Sequence, residues 1–241
     1  MEALVPLALR TTLLTLKVIL FDLDGTLEDT MEAIYKTIEN LRAIFGYDTS
    51  PRDTVLPIVC EMTPSQAVDF YVPRQVKCRL DAISPKFIFR YVGWLHQYCR
   101  DRLARALPDI TDSLKELKGM GIRLALVTSN SENAVLGFLD KYDLHDVFEE
   151  HTSAELGLRK AEAIKLVLTK LGFRPEDCIF VGDTAKDIRE SREAGVLAVG
   201  VLSGAHDLKR LQAEKPFAIL KSVSELPLLV ETAKAQILSE A

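Results

Sequence analysis

Cysteine is scarce. Four occur in 241 residues, Cys60, Cys78, Cys99 and Cys178. Their spacings match neither a zinc-ligand nor a redox pattern, which argues against a disulfide framework or a structural metal finger. Free thiols in a reducing cytoplasm, acting as small buried hydrophobes, are the expectation. An excess of positive charge is also missing: 30 Lys and Arg face 35 Asp and Glu, for a net charge of −5 and a pI near 5.5. Such a chain has no general attraction to nucleic acid or to an anionic membrane. An anionic substrate must then be drawn locally, by a metal ion or a few positioned cations. Long apolar runs are lacking too. The leading MEALVPLALRTTLLTLK is apolar, but Glu2 stands where a signal peptide carries positive charge, and Arg10 breaks the run. No uncharged stretch nears the ~20 residues that a membrane-spanning helix needs. The segment reads as an extra edge strand or as a translation start set too early. Repeats and low-complexity tracts are absent.

What is present suits a globular protein: 48% hydrophobic and 27% charged residues. At about 100–200 residues per domain, the length fits one main domain with a smaller insertion. Val18–Leu23 is a nearly continuous apolar run emptying into Asp-Gly-Thr, as a buried parallel strand would. Met31, Ile34, Ile38, Leu41 and Phe45 recur at helical spacing across Glu28–Phe45, and Gly46 ends it. Residues 47–107 contain Pro51, Pro57, Pro64, Pro73 and Pro85 between short apolar-periodic pieces such as Ser65–Tyr71 and Lys86–Leu103. They read as short helices without a strand, nearly balanced in charge, forming an inserted helical subdomain.

From Asp109 the rhythm changes. Helices are expected at Asp109–Gly119, Ser131–Tyr142 (Ser131 as N-cap), Lys160–Leu171 and Ala185–Ala194. Strands are expected at Ile122–Val127, Asp146–Glu150, Cys178–Val181, Leu197–Val201 and Phe217–Leu220, and Ser222 with Glu225 forms a capping box for a last helix. This alternation means an α/β fold with a parallel sheet, whose ligands bind at the carboxyl ends of the strands.

Those ends are polar in one sense. Asp22 and Asp24 follow the first strand, Thr128 and Ser129 the second, and Asp183 and Asp187 follow CIFV; Lys160 opens a helix. Converging carboxylates repel unless a cation neutralises them, and oxygen-only ligands favour Mg²⁺. A carboxylate in line with a phosphoryl group can attack phosphorus, and Asp22 is the candidate nucleophile. Asp24, two residues on, can protonate the leaving oxygen and later deprotonate water. Thr128 and Lys160, with backbone N–H groups, can hold the charged phosphoryl oxygens.

Asp22-Leu23-Asp24-Gly25-Thr26-Leu27 resembles the first motif of the haloacid dehalogenase-like superfamily. Leu126–Asn130 resembles its second motif, Lys160 its third, and Gly182–Ile188 its fourth; Glu193-Ala194-Gly195 with Gly200-Val201 resembles the stretch that follows. The resemblance, running from about Val18 to about Leu229, implies a Rossmann-like core (1–27 and 107–241) with a helical cap inserted at 28–106, as in phosphoglycolate phosphatase-like members. It implies Asp22 as nucleophile and Mg²⁺ ligand, and Asp24 as acid/base with its backbone carbonyl on the metal. It further implies Thr128, Ser129 and Lys160 on phosphate, Asp183 as metal ligand, and Asp187 supporting the metal or orienting Lys160. Two departures stand out. Gly157-Leu158-Arg159-Lys160-Ala161 replaces the frequent Gly-Lys-Pro, which leaves Arg159 and Lys165 as substitutes for Lys160. Glu28-Asp29-Thr30 stands where Asp-Ser is common.

His96, His145, His151 and His206 form no metal-like cluster. Trp94, Phe87, Phe89 and Tyr91 are expected to pack the core of the helical insertion, and Arg52, Arg74, Lys77, Arg79 and Arg90 to form a solvated face. The expected activity is Mg²⁺-dependent hydrolysis of a small phosphate monoester, like phosphoglycolate or a sugar phosphate. The setting is a cytoplasmic monomer or homodimer without nucleic-acid or membrane partners. The alternatives are a phosphomutase of the beta-phosphoglucomutase type and a non-catalytic regulatory scaffold. The resemblance implies that the dehalogenase branch lacks the second aspartate, so the presence of Asp24 argues against a dehalogenase.

Overall fold

The computed structural model describes residues 15–48, 50–84 and 86–238. The expectation of an edge strand near the N-terminus lies outside them. The chain divides into two compact units, one running up to Leu27 and resuming at Ala106, the other Glu28–Arg105. In chain order the strands are β1 (Val18–Phe21), β2 (Glu28–Asp29), β3 (Arg105–Ala106), β4 (Arg123–Val127), β5 (Phe148–Thr152), β6 (Cys178–Gly182), β7 (Leu197–Val201) and β8 (Ala218–Leu220). The helices are α1 (Met31–Ile44), α2 (Arg52–Val59), α3 (Pro64–Tyr71), α4 (Arg74–Ile83), α5 (Phe87–Leu103), α6 (Ile110–Gly119), α7 (Glu132–Tyr142), α8 (Lys160–Leu171), α9 (Ala185–Glu193), α10 (Leu208–Ala213) and α11 (Leu226–Leu238).

In the first unit six parallel strands lie in the order β5-β4-β1-β6-β7-β8. The central strands read as continuous apolar runs because both faces are buried. Ile19, Phe21, Leu124, Leu126, Ile179 and Val181 pack on one side with Leu114 and Leu117 of α6, Val135 and Phe138 of α7, and Leu226 and Val230 of α11. The alternate residues Val18, Leu20, Ala125, Val127, Cys178 and Phe180 pack on the other side with Ile164, Val167 and Leu168 of α8. This two-layered covering of a parallel sheet is the Rossmann-like architecture expected. Ser131 caps α7 by accepting from the Ala134 N–H at 3.3 Å. The capping box at the last helix does not form. Ser222 Oγ accepts from the Ser224 N–H and Glu225 from the Lys221 N–H, so the pair closes a short 3₁₀ turn before α11.

The second unit is helical, α1 to α5, and starts and ends on the two-residue strands β2 and β3, paired with each other. Glu28 and Asp29 therefore extend rather than open the helix, and α1 begins at Met31. The helices α2 and α4 were not individually legible from the proline-punctuated sequence. Inside the unit lie Ile38, Leu41, Val55, Leu56, Val59, Val68, Ile88, Leu95 and Cys99. The expectation for the aromatics is overturned: Phe87, Phe89 and Trp94 are exposed, Trp94 by 60%. Phe87, Tyr91, Trp94 and Tyr98 recur at three and four residues, so they form one outward stripe of α5. Successive ring centroids stand 6.3, 5.9 and 5.6 Å apart. The inward stripe is the aliphatic one, Ile88, Leu95 and Cys99. The thiols also differ from the expectation, since Cys99 and Cys178 are buried but Cys78 is exposed. Glu28 pairs with Arg100, and both side chains are buried. Breaking a buried ion pair of this kind from one side typically costs about 3–5 kcal/mol.

Candidate active site

The strand register levels the residues that matter. Phe21 sits opposite Leu126 on β4 and Val181 on β6. Asp22, Thr128 and Asp183 thus leave three adjacent strands at the same sheet edge. The Asp22 N–H still bonds to the Val181 carbonyl at 2.9 Å. The chain then turns tightly, with the Leu27 N–H bonded to the Leu23 carbonyl at 2.9 Å and Gly25 at φ +74°. A side chain at Gly25 would be strained by that φ, and its Cβ would lie 2.5 Å from Asp183 Oδ2.

Asp22, Asp183 and Asp187 each offer an oxygen within 4.8 Å of the others, and all three are buried. No other group of three or more His, Cys, Asp or Glu residues suited to a metal is found among the described residues. Lys160, also buried at the first position of α8, places Nζ 2.8 Å from Asp22 Oδ2 and pairs with Asp187 Oδ1. Of the three third-motif candidates it alone joins the carboxylates: Arg159 pairs with Glu193 at the surface, and Lys165 is exposed. Asp187 is committed on both oxygens, because Oδ2 accepts from the Thr184 N–H (3.0 Å) and hydroxyl (2.6 Å). It is thereby the third residue of the capping box that starts α9. Asp183 accepts from Thr26 Oγ1 at 3.4 Å on Oδ1 and from the Ala205 N–H at 2.7 Å on Oδ2.

The electrostatics follow from burial and sign. Burial raises Asp22 to about 6 against the pull of Lys160. Burial, then the charges of Asp187 and Asp22, push Asp183 well above the carboxylate range. Burial opposes the charge on Lys160, but Asp187 and Asp22 outweigh it and hold the ammonium above the usual lysine range. Asp187 is held below its ordinary value, the same burial being overcome by Lys160 and Thr184. Three carboxylates against one ammonium leave a net −2 when all are ionised. Asp22 and Asp183 bind protons more tightly folded than unfolded. Their protonated forms stabilise the metal-free fold below about pH 4, and this is lost as pH rises through 6 and beyond. A divalent cation held by these carboxylates would reverse that loss, so added Mg²⁺ should raise the melting temperature more at pH 8 than at pH 5. Equal shifts at both pH values in calorimetric scans would contradict this electrostatic account.

Asp24 is half-buried, and its Oδ2 accepts from Asn130 Nδ2 at 2.6 Å. The orientation of that amide is fixed, since Asn130 Oδ1 accepts from the Ser131 N–H at 2.7 Å and leaves Nδ2 to face Asp24. The Asn130 N–H in turn bonds to Thr128 Oγ1 at 3.1 Å, and half-buried Ser129 lies between them. Sequence reasoning quoted Asn130 within a motif but assigned it nothing. Of the loop Ser203–His206 it singled out only His206, as no metal-type ligand, and the contacts of the loop with Gly25 and Asp183 appear only once the chain is folded.

Comparison with known proteins agrees. The family model described as haloacid dehalogenase-like hydrolase matches residues 19–201. The chain is similar to phosphoglycolate phosphatase from Synechococcus elongatus, 26% identical over 88% of this chain and 95% of that one. It is also similar to pyrophosphatase PpaX from Bacillus pumilus, 27% identical over 90% and 97%. In fold it resembles a haloacid dehalogenase-like family protein from Streptococcus pneumoniae, with a TM-score of 0.73 at 19% identity, covering 90% of this chain and 99% of that one. With a parallel sheet carrying acidic groups at its carboxyl edge and a family model spanning most of its length, the chain belongs to the haloacid dehalogenase-like hydrolases.

Proposed function

We propose that the chain is a Mg²⁺-dependent phosphatase that hydrolyses a small phosphate monoester through an aspartyl-phosphate on Asp22. The observation that carries this reading is the buried cluster of three carboxylates around one ammonium. Its uncompensated charge and its all-oxygen donors fit a hard divalent ion. Asp22, Asp183 and the Asp24 backbone carbonyl would hold that ion, with Asp187 in support. When bound, Mg²⁺ supplies charge neutralisation for the incoming phosphoryl group.

The chain's own residues divide the remaining work. Lys160 orients Asp22 through Oδ2 and offers its ammonium to the phosphoryl oxygens, joined by Thr128, Ser129 and nearby N–H groups. An Asp22 oxygen forms the new bond to phosphorus as the P–O bond to the leaving group breaks, and Asp24 gives its proton to the departing leaving-group oxygen. Asp24, now ionised, takes a proton from the water that attacks the phosphoenzyme, releasing phosphate and restoring the Asp22 carboxylate. The helical unit would act as the cap that excludes bulk water. The names of the relatives favour phosphoglycolate and pyrophosphate as early members of a substrate panel. Among the described residues no helix is long and apolar enough to cross a membrane.

Phosphate release from such a panel with Mg²⁺, lost on chelation and restored by Mg²⁺, is the expected result. Isomerised sugar phosphate without free phosphate would move the assignment to a mutase, and an inert protein to a binding scaffold. Asn130→Ala should lower kcat about ten- to a hundredfold with KM nearly unchanged, because it frees the acid/base carboxylate without touching the phosphate cradle. A KM effect alone would place Asn130 on the substrate instead.

A further inference from the structure

We infer that the loop Ser203–His206, between β7 and α10, is a positioning element that holds Asp183 against the turn of the nucleophile; this rests on the metal-dependent reading above. Three hydrogen bonds fan out from four consecutive residues. Ser203 Oγ donates to the Gly25 carbonyl at 2.7 Å. The Ala205 N–H donates to Asp183 Oδ2 at 2.7 Å. His206, buried, accepts on Nδ1 from the Ala185 N–H at 2.9 Å, in the first turn of α9.

The loop therefore grips the turn after Asp22, the Asp183 carboxylate and the start of the helix that carries Asp187. The fourth residue explains how it comes so close. A Cβ on Gly204 would stand 1.9 Å from Asp183 Oδ2 and 2.4 Å from its Cγ, so only glycine admits the approach. With Oδ2 held by a backbone donor and Oδ1 accepting from Thr26, the orientation of the Asp183 carboxylate within its cluster with Asp22 and Asp187 is set. Hydrogen-bond partners of this kind tune metal ligands, and their loss typically lowers metal affinity about ten- to a hundredfold.

The test uses the full chain and Mn²⁺ alone as probe, with affinity read by calorimetric titration and folding by circular dichroism. Ser203→Ala and His206→Leu should each weaken Mn²⁺ binding about tenfold, and Gly204→Ala about a hundredfold. His206→Asn, whose amide oxygen can replace Nδ1 as acceptor, should recover most of the affinity that His206→Leu loses. A role confined to folding would lower melting temperatures and leave Mn²⁺ affinity unchanged. If Gly204→Ala does not fold, the other three variants decide. Folded Ser203→Ala and His206→Leu proteins that bind Mn²⁺ like the wild type overturn the inference alone. A wild type that binds no Mn²⁺ overturns the functional reading with it.

Discussion

Asp22→Asn should reduce phosphate release by at least about a thousandfold, the scale seen when a covalent nucleophile is removed from a catalytic unit. The amide keeps the size of the side chain, so the site remains assembled, but it cannot form the acyl phosphate. The same change should leave the metal-free protein as stable as the wild type or more so. It removes one of three mutually repelling carboxylates, raised by burial to about 6, while Lys160 keeps Asp187 as a partner. Loss of activity with an unchanged or higher melting temperature in chelator is the expected signature. Retention of a tenth or more of the wild-type rate would mean that another group attacks phosphorus.

Lys160→Met should be damaging on both counts. The apolar side chain has similar length, so the effect comes from charge. Asp22 and Asp187 lose the ammonium between them and stay buried beside Asp183. Breaking a buried ionic network on one side typically costs about 3–5 kcal/mol. The destabilisation should be greater at pH 8 than at pH 5, where protonation relieves part of the repulsion, and Mg²⁺ should recover part of it. Activity should fall by about a hundred- to a thousandfold even where the variant is folded, as when one charge-stabilising donor is removed. Denaturant unfolding in chelator at both pH values measures the first effect. Wild-type stability at pH 8 would show that the carboxylates are not ionised together in the folded state.

The core of the fold was legible because a parallel strand buried on both faces announces itself. Val18–Phe21, Cys178–Gly182 and Leu197–Val201 are apolar runs, and the first two lead directly into an aspartate. The strand-end polar residues were legible for the same reason, since topology brings those ends together whatever the loops do. The helical unit was harder. On α5 the aromatic and aliphatic stripes have the same period, so spacing alone could not tell inside from outside, and ring size pointed the wrong way. Glu28 looked like part of a helix because a two-residue strand carries too little pattern to register. The contacts of Asn130 and Ser203–His206 are set by tertiary approach over long sequence separations. A local reading holds no trace of them beyond a glycine at position 204.

Trp94 is the sole tryptophan, and it lies in the open on the helical unit. Selective excitation of indole emission therefore samples Glu28–Arg105 and is blind to the parallel sheet. The emission should be that of a solvated indole and readily quenched by iodide, with Tyr91 and Tyr98 beside it. In a denaturant titration, indole emission and far-ultraviolet dichroism need not coincide. Separate midpoints would resolve the two units as independent folding bodies, from one natural fluorophore and without labelling.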